Sequence, residues 1–128
     1  MQHRERIALE KICAEIDLAL KFVENITPEE FLADEKTKRA VGMTAINIGE
    51  LTKHLTQEFR EKYPQVAWKS AARFRDIVAH KYETLNMLDV YETVTKDFPE
   101  MKLQVEKILK YQIKKPFGSC RRVFFNLN

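Results

Sequence analysis

The stretch EKTKRAVGMTAINIGELTKHLTQEFREK, residues 35–62, carries a narrow and mostly apolar seam. Alternating steps of four and three residues separate its members, which are Val41, Ala45, Ile48, Thr52, Leu55 and Phe59. This spacing places them along one side of an α-helix. Tyr63 should end the helix, because the residue before a proline is disfavoured in the α conformation. The pattern therefore predicts one long helix over residues 35–62.

Two glycines, Gly42 and Gly49, lie inside this predicted helix. Each costs about 1 kcal/mol against alanine in a helix interior. A neighbouring backbone that approaches closely would offset the cost, because glycine has no side chain. We expect such an approach at both positions. Together with the regular seam of the last helix, the two glycines also suggest that the chain dimerises.

Helical patterns cover most of the remaining sequence, which holds only three glycines and four prolines. We expect helices over residues 4–25, 28–33, 68–80 and 87–113, with Thr27 as an N-cap and a junction near residues 82–86. Pro99 should kink or break the last one. These patterns predict an all-α antiparallel bundle of about five helices over residues 1–113, followed by an extended basic tail at 114–128.

Length and composition indicate a single globular domain, with 128 residues, 45% hydrophobic and 32% charged. We find no apolar run of about 18 residues and no secretory signal, so we expect a cytoplasmic protein without membrane contact. Cys13 and Cys120 show no metal-binding spacing and are interpreted as reduced thiols, and no metal site is expected.

The charge is unevenly distributed, although the net formal charge is only +3. No acid follows Glu106, whereas the cations after it are Lys107, Lys110, Lys114, Lys115, Arg121 and Arg122. A basic end favours a polyanion such as RNA, and a solvated tail that aids solubility is the alternative interpretation.

The run RDIVAHKY, residues 75–82, holds the side chains best suited to chemistry. A histidine such as His80 can accept or donate a proton near neutral pH, and the guanidinium of Arg75 can hold a phosphate. Tyr82 could bind phosphate or orient His80, and Asp76 could hold Arg75 or tune the charge of His80. The alternative is purely structural, because a histidine at a helix C-terminus is favoured by the helix dipole.

Helical geometry separates the two central residues of this run. Arg75 and Tyr82 would share a face of a continuing helix, whereas Arg75 and His80 would lie about 140° apart. Either the helix ends near His80 and turns its side chain inward, or a second chain completes the site.

The same residues resemble a known family. Arg75, His80 and Tyr82 match the Arg-x4-His-x-Tyr motif of HepT-like proteins in the HEPN superfamily. Similar segments occur at Ile48-Gly49-Glu50, at residues 59–64 followed by Trp68-Lys69, and at residues 97–100, so the resemblance spans residues 4–112.

The resemblance implies a helical bundle, a homodimer with a shared cleft, and metal-independent endoribonuclease activity without a cofactor. It implies a toxin–antitoxin system whose partner, an MntA-type nucleotidyltransferase antitoxin, adenylylates Tyr82, with Arg75 and His80 as the catalytic pair. The charge pattern adds candidate RNA-binding residues, which are Lys81, Lys114, Lys115, Arg121 and Arg122.

Two positions depart from the common family sequence. Asp76 replaces asparagine, and Lys81 replaces glycine or aspartate. Asp76 would partly neutralise the charge of Arg75. A second hypothesis is therefore a catalytically silent HEPN module that binds nucleotide, RNA or a partner, and a third is a purely structural helical dimer.

Overall fold

The computed structural model describes residues 1–113, in which seven α-helices follow one another along the chain. They are α1 (His3–Phe22), α2 (Pro28–Ala33), α3 (Glu35–Lys53), α4 (Gln57–Lys62), α5 (Trp68–Lys81), α6 (Met87–Glu92) and α7 (Phe98–Ile113). A 3₁₀ turn, Tyr82–Thr84, follows α5, and a π turn, Thr93–Asp97, joins α6 to α7. No strand occurs in residues 1–113. The prediction of an all-α bundle is confirmed, and the predicted tail, residues 114–128, lies outside the described residues.

Helix α3 lies at the centre of the bundle, between α1 and α5, and α1 also packs against α7. All six members of the seam are buried. They meet a core that includes Leu9, Ile12, Ile16, Val78, Val94, Val105 and Ile108. No helix within residues 1–113 has both the length and the apolar character needed to cross a bilayer.

The predicted single helix over residues 35–62 is wrong, because the chain leaves the α conformation between Lys53 and Gln57. Thr56 adopts an extended conformation, and its hydroxyl oxygen accepts a hydrogen bond from the backbone N–H of Phe59 at 3.0 Å. Thr56 is thus the N-cap of α4. The interruption leaves the seam intact, since Leu55 and Phe59 stay buried on either side of it.

A buried acid explains why the break occurs at Thr56. The carboxylate of Glu5, only 5% exposed, accepts a hydrogen bond from the Thr56 hydroxyl at 2.9 Å and another from the backbone N–H of Gln2 at 3.2 Å. These bonds fasten the start of α4 to the first turn of α1. A buried carboxylate requires such partners, and nothing in the sequence pattern indicated this one.

The turn between α1 and α2 lies where one predicted helix ends and the next begins. Asn25 has a φ of 61°, a left-handed conformation that asparagine tolerates better than most residues. Thr27 then caps α2, because its hydroxyl accepts from the N–H of Glu30 while the Glu30 carboxylate accepts from the N–H of Thr27. The predicted helix over 28–33 is confirmed, whereas α1 ends at Phe22 rather than at residue 25.

The last helical segment is interrupted just before Pro99, as predicted. The five residues Thr93–Asp97 form a π turn, and regular α-helix resumes at Phe98. Proline has no N–H to donate, and its ring clashes with the carbonyl four residues earlier. The wider π turn places that carbonyl out of the way, so the segment stays helical without an α-helical bond at Pro99.

Candidate active site

Helices α3 and α5 run antiparallel and meet at two points that are one heptad apart. Gly49 of α3 faces Arg75 of α5, and Gly42 faces Tyr82 just beyond the end of α5. Arg75 and Tyr82 therefore both lie against α3, which agrees with the shared face predicted from their seven-residue spacing.

Arg75 is held where the two helices approach most closely. A Cβ built on Gly49 would lie 2.1 Å from the Cβ of Arg75 and 3.1 Å from the carbonyl oxygen of Ala71. No side chain fits there, so the predicted close approach is confirmed at Gly49. At Gly42 the nearest atoms belong to the side chains of Tyr82 and Val78, both at an ordinary 3.5 Å, and the expected close backbone approach is wrong there.

Two carboxylates and two cationic side chains, one of them Arg75 itself, connect α3 to α5. The Nε atom of Arg75 lies 2.8 Å from Oε1 of Glu50, although its N–H is not aligned for a hydrogen bond. Arg75 Nη1 donates to Oδ1 of Asp76 at 3.2 Å, and Lys53 Nζ donates to the same oxygen at 2.9 Å. The hydrogen bond from Lys53, followed by that from Arg75, holds the pKa of Asp76 below its usual value. Asp76 is therefore ionised at neutral pH and shares its charge with both cations.

His80 is exposed, and one of its ring nitrogens is anchored. The Nδ1 atom lies 3.1 Å from the backbone carbonyl oxygen of Asp76, one helical turn earlier. A carbonyl oxygen only accepts, so the contact is a hydrogen bond when Nδ1 carries the proton. That tautomer leaves the lone pair of Nε2 available for proton transfer.

Arg75 and His80 do not share a face of α5. The helix continues through both residues and ends at Lys81, so it does not stop before His80 and turn the imidazole inward. The Cβ and Cγ atoms of Arg75 lie against α3, whereas His80 is exposed to solvent. Of the two geometries predicted from the sequence, the first is correct about a helix end near His80 and wrong about an inward side chain, and completion of the site by a second chain stays a prediction.

Tyr82 begins the 3₁₀ turn after α5 and packs back onto α3. The guanidinium of Arg39 lies 4.8 Å from the centre of its ring. The hydroxyl is shielded from solvent and has no well-aligned hydrogen bond among the described residues, although the Glu35 carboxylate lies close enough to interact with it. Burial raises the pKa of the Tyr82 hydroxyl above its usual value, and the charge of the Glu35 carboxylate adds to the rise. The hydroxyl is thus neutral and covered in the free chain.

Of the candidate RNA-binding residues, only Lys81 lies within the described residues. Lys81 is exposed at the last position of α5. The remaining predicted RNA-binding residues lie outside residues 1–113, namely Lys114, Lys115, Arg121 and Arg122. Within residues 1–113 no group of three or more histidine, cysteine, aspartate or glutamate side chains is arranged to hold a metal ion.

Two participants in this arrangement were not singled out from the sequence. Glu50 appeared only as part of a resembling segment, and Lys53 did not appear at all. Both lie within one turn of Gly49 on the side that meets α5. The glycine was the available signal, because the residues beside a close helix crossing are those that reach the opposite helix.

Comparison with known proteins gives a consistent result. The family model described as "Ribonuclease HepT-like" matches residues 12–108. A protein named "Putative RNase" from Caldanaerobacter subterraneus subsp. tengcongensis is 38% identical over 102 residues, covering 80% of this chain and 91% of that protein. "Probable ribonuclease HepT" from Thermococcus cleftensis is 34% identical over 110 residues, covering 86% of this chain and 100% of that protein. No solved structure matches the chain.

The matched span includes the whole region in which α3 and α5 bring Arg75, Asp76 and Tyr82 together. The resemblance inferred from the motif is therefore confirmed by the family model and by full-length relatives. The chain belongs to the HepT-like ribonuclease family of the HEPN superfamily.

Proposed function

We propose that this chain is a metal-independent endoribonuclease that cleaves RNA through the 2′-hydroxyl of the substrate. His80 carries the proposal, because its Nδ1 is anchored 3.1 Å from the Asp76 carbonyl oxygen while Nε2 faces solvent. A substrate that supplies its own nucleophile needs a base, an acid and a cation, and these are available without a metal ion.

The reaction forms a bond between the 2′-oxygen and phosphorus while the bond from phosphorus to the 5′-oxygen breaks. One imidazole accepts the 2′-hydroxyl proton, and a second acid returns a proton to the leaving 5′-oxygen. The products carry a 2′,3′-cyclic phosphate and a 5′-hydroxyl. Arg75 stabilises the charge that develops on the phosphate oxygens.

A homodimer supplies the second acid. Arg75 and His80 lie on different faces of one α5, so a cleft between two α5 helices would bring both kinds of side chain to one phosphate. His80 of one copy then acts as the base, and His80 of the partner subunit acts as the acid. A monomer in sedimentation at micromolar concentration, together with full activity, would contradict this shared cleft.

The first test replaces His80 with alanine and follows cleavage of a single-stranded RNA in the presence of EDTA. We expect the wild-type chain to cut and the rate to fall at least about 100-fold in His80→Ala, the usual contribution of an acid or base. His54→Ala is the matched control, since His54 is also exposed and lies at the end of α3. Equal rates for wild type and His80→Ala would contradict the proposed chemistry.

We propose further that the ribonuclease is the cytoplasmic toxin of a toxin–antitoxin pair, inactivated by a nucleotidyltransferase antitoxin of the MntA type. The Tyr82 oxygen attacks the α-phosphorus of ATP, forming an ester bond as pyrophosphate leaves and the hydroxyl proton is released. Tyr82 stands two residues after His80, so an added nucleotide would block the cleft. The shielded hydroxyl requires the turn Tyr82–Thr84 to open before the reaction.

Mass spectrometry after incubation with such a transferase and ATP tests this step. We expect one added adenylyl group in the wild-type chain, none in Tyr82→Phe, and an unchanged addition in Tyr111→Phe, because Tyr111 is 60% exposed on α7. Modification of Tyr82→Phe would place the acceptor elsewhere.

RNA affinity is proposed to depend on the cations of the chain's basic end. Lys81 borders His80, and the proposed basic tail, residues 114–128, follows residues 1–113 in the sequence. Replacing the four tail cations with glutamine should lower the salt dependence of RNA binding, since each phosphate contact contributes to it. The cations replaced are Lys114, Lys115, Arg121 and Arg122.

A second function, RNA or partner binding without cleavage, is favoured by one observation. The Asp76 carboxylate already occupies the guanidinium of Arg75 at 3.2 Å, which lowers the charge available to a transition state. A wild-type chain that binds RNA and never cuts it would select this function.

A further inference from the structure

One carboxylate oxygen lies between two cations from different helices. Oδ1 of Asp76 accepts from Nζ of Lys53 at 2.9 Å and from Nη1 of Arg75 at 3.2 Å. A non-bridging oxygen of a phosphodiester is an acceptor of the same kind and charge, and lysine and arginine are its usual partners. The two cations therefore form a ready-made anion site whose present occupant belongs to the chain itself.

The anion site is open to an incoming ligand. The side chain of Asp76 is 52% exposed and that of Lys53 is 40% exposed, whereas Arg75 is only 23% exposed. A different carboxylate, that of Glu50, lies 2.8 Å from Nε of the Arg75 guanidinium. The guanidinium therefore keeps one acidic neighbour when the exposed carboxylate of Asp76 rotates into solvent.

The position of this site shows how Arg75 can act beside His80, although the two residues lie on different faces of α5. His80 follows Asp76 by four residues, which places it one turn along α5 and about 40° around the helix. The anion site therefore lies on the same side of α5 as His80, although the Cβ and Cγ atoms of Arg75 lie against α3. Lys53 contributes its charge on the His80 side, from a different helix.

We propose that Lys53 binds the scissile RNA phosphate together with Arg75, and that the carboxylate of Asp76 occupies this anion site until RNA displaces it. This inference rests on the proposed ribonuclease function and adds a binding residue outside the Arg-x4-His-x-Tyr motif. Asp76 then sets the affinity, because a phosphate must replace an ion-paired carboxylate rather than water.

The test measures binding separately from cleavage. The full chain is titrated into a fluorescent single-stranded RNA with 2′-O-methyl groups at every sugar, which removes the nucleophile, and anisotropy is followed at several salt concentrations. We expect Lys53→Met to weaken binding about tenfold. The slope of log K against log salt should fall by about 0.7, the value for one lost contact to a single strand.

Matched variants separate a local contact from a change of net charge. Lys11→Met removes one exposed lysine from α1, which packs against α3 and α7, and should bind like the wild type. Lys53→Arg should retain most of the affinity and the salt slope. Asp76→Asn should bind at least about threefold more tightly, because Lys53 and Nη1 of Arg75 lose the carboxylate that pairs with them, although Arg75 keeps Glu50.

A double variant keeps the test valid if Lys53→Met folds poorly. Lys53→Gln combined with Asp76→Asn removes both partners, so no charge is left unpaired, and it should bind RNA about tenfold more weakly than Asp76→Asn alone. Equal affinity of these two variants would overturn the role of Lys53. An Asp76→Asn chain that binds no more tightly than wild type would overturn the role of Asp76.

Different results would contradict the proposed ribonuclease function and the inference about Lys53. A wild-type chain that binds the methylated RNA but leaves unmodified RNA intact contradicts the nuclease, whereas the effect of Lys53 on binding would remain. A chain that cleaves unmodified RNA while Lys53→Met binds and cuts as well as the wild type contradicts only the inference about Lys53. Absence of RNA binding by the wild type would overturn both.

Discussion

The two glycines of α3 occupy equivalent positions in sequence and opposite situations in the structure. Both face α5, one heptad apart, yet an added Cβ would lie 2.1 Å from the nearest atom at Gly49 and 3.5 Å at Gly42. At Gly49 the helices are so close that only hydrogen fits. At Gly42 an alanine would make ordinary contacts with Tyr82 and Val78. The crossing is therefore tight beside Arg75 and looser beside Tyr82.

This difference teaches that the two ends of the candidate site are held by different means. Arg75 is positioned by the close approach of α3 at Gly49, which cannot change without moving a helix, and its Nε lies beside the Glu50 carboxylate. Tyr82 is positioned only by contacts of its own side chain, whose ring lies against Gly42 and beneath the guanidinium of Arg39. We therefore expect the Arg75 end to be rigid and the Tyr82 end to open more readily.

The largest effect should come from Gly49→Ala. The new methyl group would push α3 and α5 apart, and overpacking of this kind costs about 2–3 kcal/mol of unfolding free energy, even after the gain in helix propensity. Urea unfolding followed by circular dichroism measures the loss. An alanine variant as stable as the wild type would show that the crossing relaxes freely and that Gly49 does not fix Arg75.

Gly42→Ala is the matched control and should have the opposite sign. Because the methyl group fits at 3.5 Å from its neighbours, the usual helix preference for alanine should add up to about 1 kcal/mol to stability. The same urea titration gives the comparison. A loss of more than about 1 kcal/mol, the size of that preference, would mean that the Gly42 contact is as tight as the Gly49 contact.

A smaller loss is expected from Arg39→Ala, which removes the cation above the Tyr82 ring. Arg39 is 62% exposed and also pairs with Glu35 at 2.9 Å, so the combined effect should be about 0.5 kcal/mol. Arg39→Lys keeps the charge and should lose less. If Tyr82 opens more readily in Arg39→Ala, adenylylation should also be faster, while the thermal midpoint changes by only a few degrees.

The smallest expected effect is a loss of stability at high pH that depends on the Tyr82 hydroxyl. The pKa of Tyr82 is raised in the folded chain above a reference of 10.0, so its contribution to stability is fully present below that value. The contribution is lost as pH rises through the folded pKa. Wild type should therefore lose slightly more stability than Tyr82→Phe between pH 9 and 11.5, measured as the difference between their urea midpoints. Parallel curves would show that the hydroxyl is not shielded in solution.

Features encoded within one helix were predictable from the sequence. The seam over residues 35–62 identified six positions that are all buried, Thr27 marked the start of α2, and Pro99 marked a real interruption. Periodicity and caps depend on residues within about one turn of each other, so they can be recognised without the rest of the fold.

Features that depend on a second helix were not predictable. The break at Thr56 needs the carboxylate of Glu5, 51 residues earlier, and nothing in residues 35–62 indicates that partner. The two glycines look alike until the register of α5 is known. The motif located Arg75, Asp76, His80 and Tyr82, but Lys53 joins them only through the crossing at Gly49.

The π turn at Thr93–Asp97 has a consequence for how the length of this chain can vary. A π turn contains about one residue more than the α-helical turn that it replaces. Deleting a single residue between Thr93 and Asp97 would close the turn into regular α-helix and leave everything after it in nearly the same rotational phase, because five residues of a π turn and four residues of an α-helix each make slightly more than one full turn. Val105 and Ile108 would then still face the core, so the wide turn lets the chain hold one extra residue without changing the face that α7 buries.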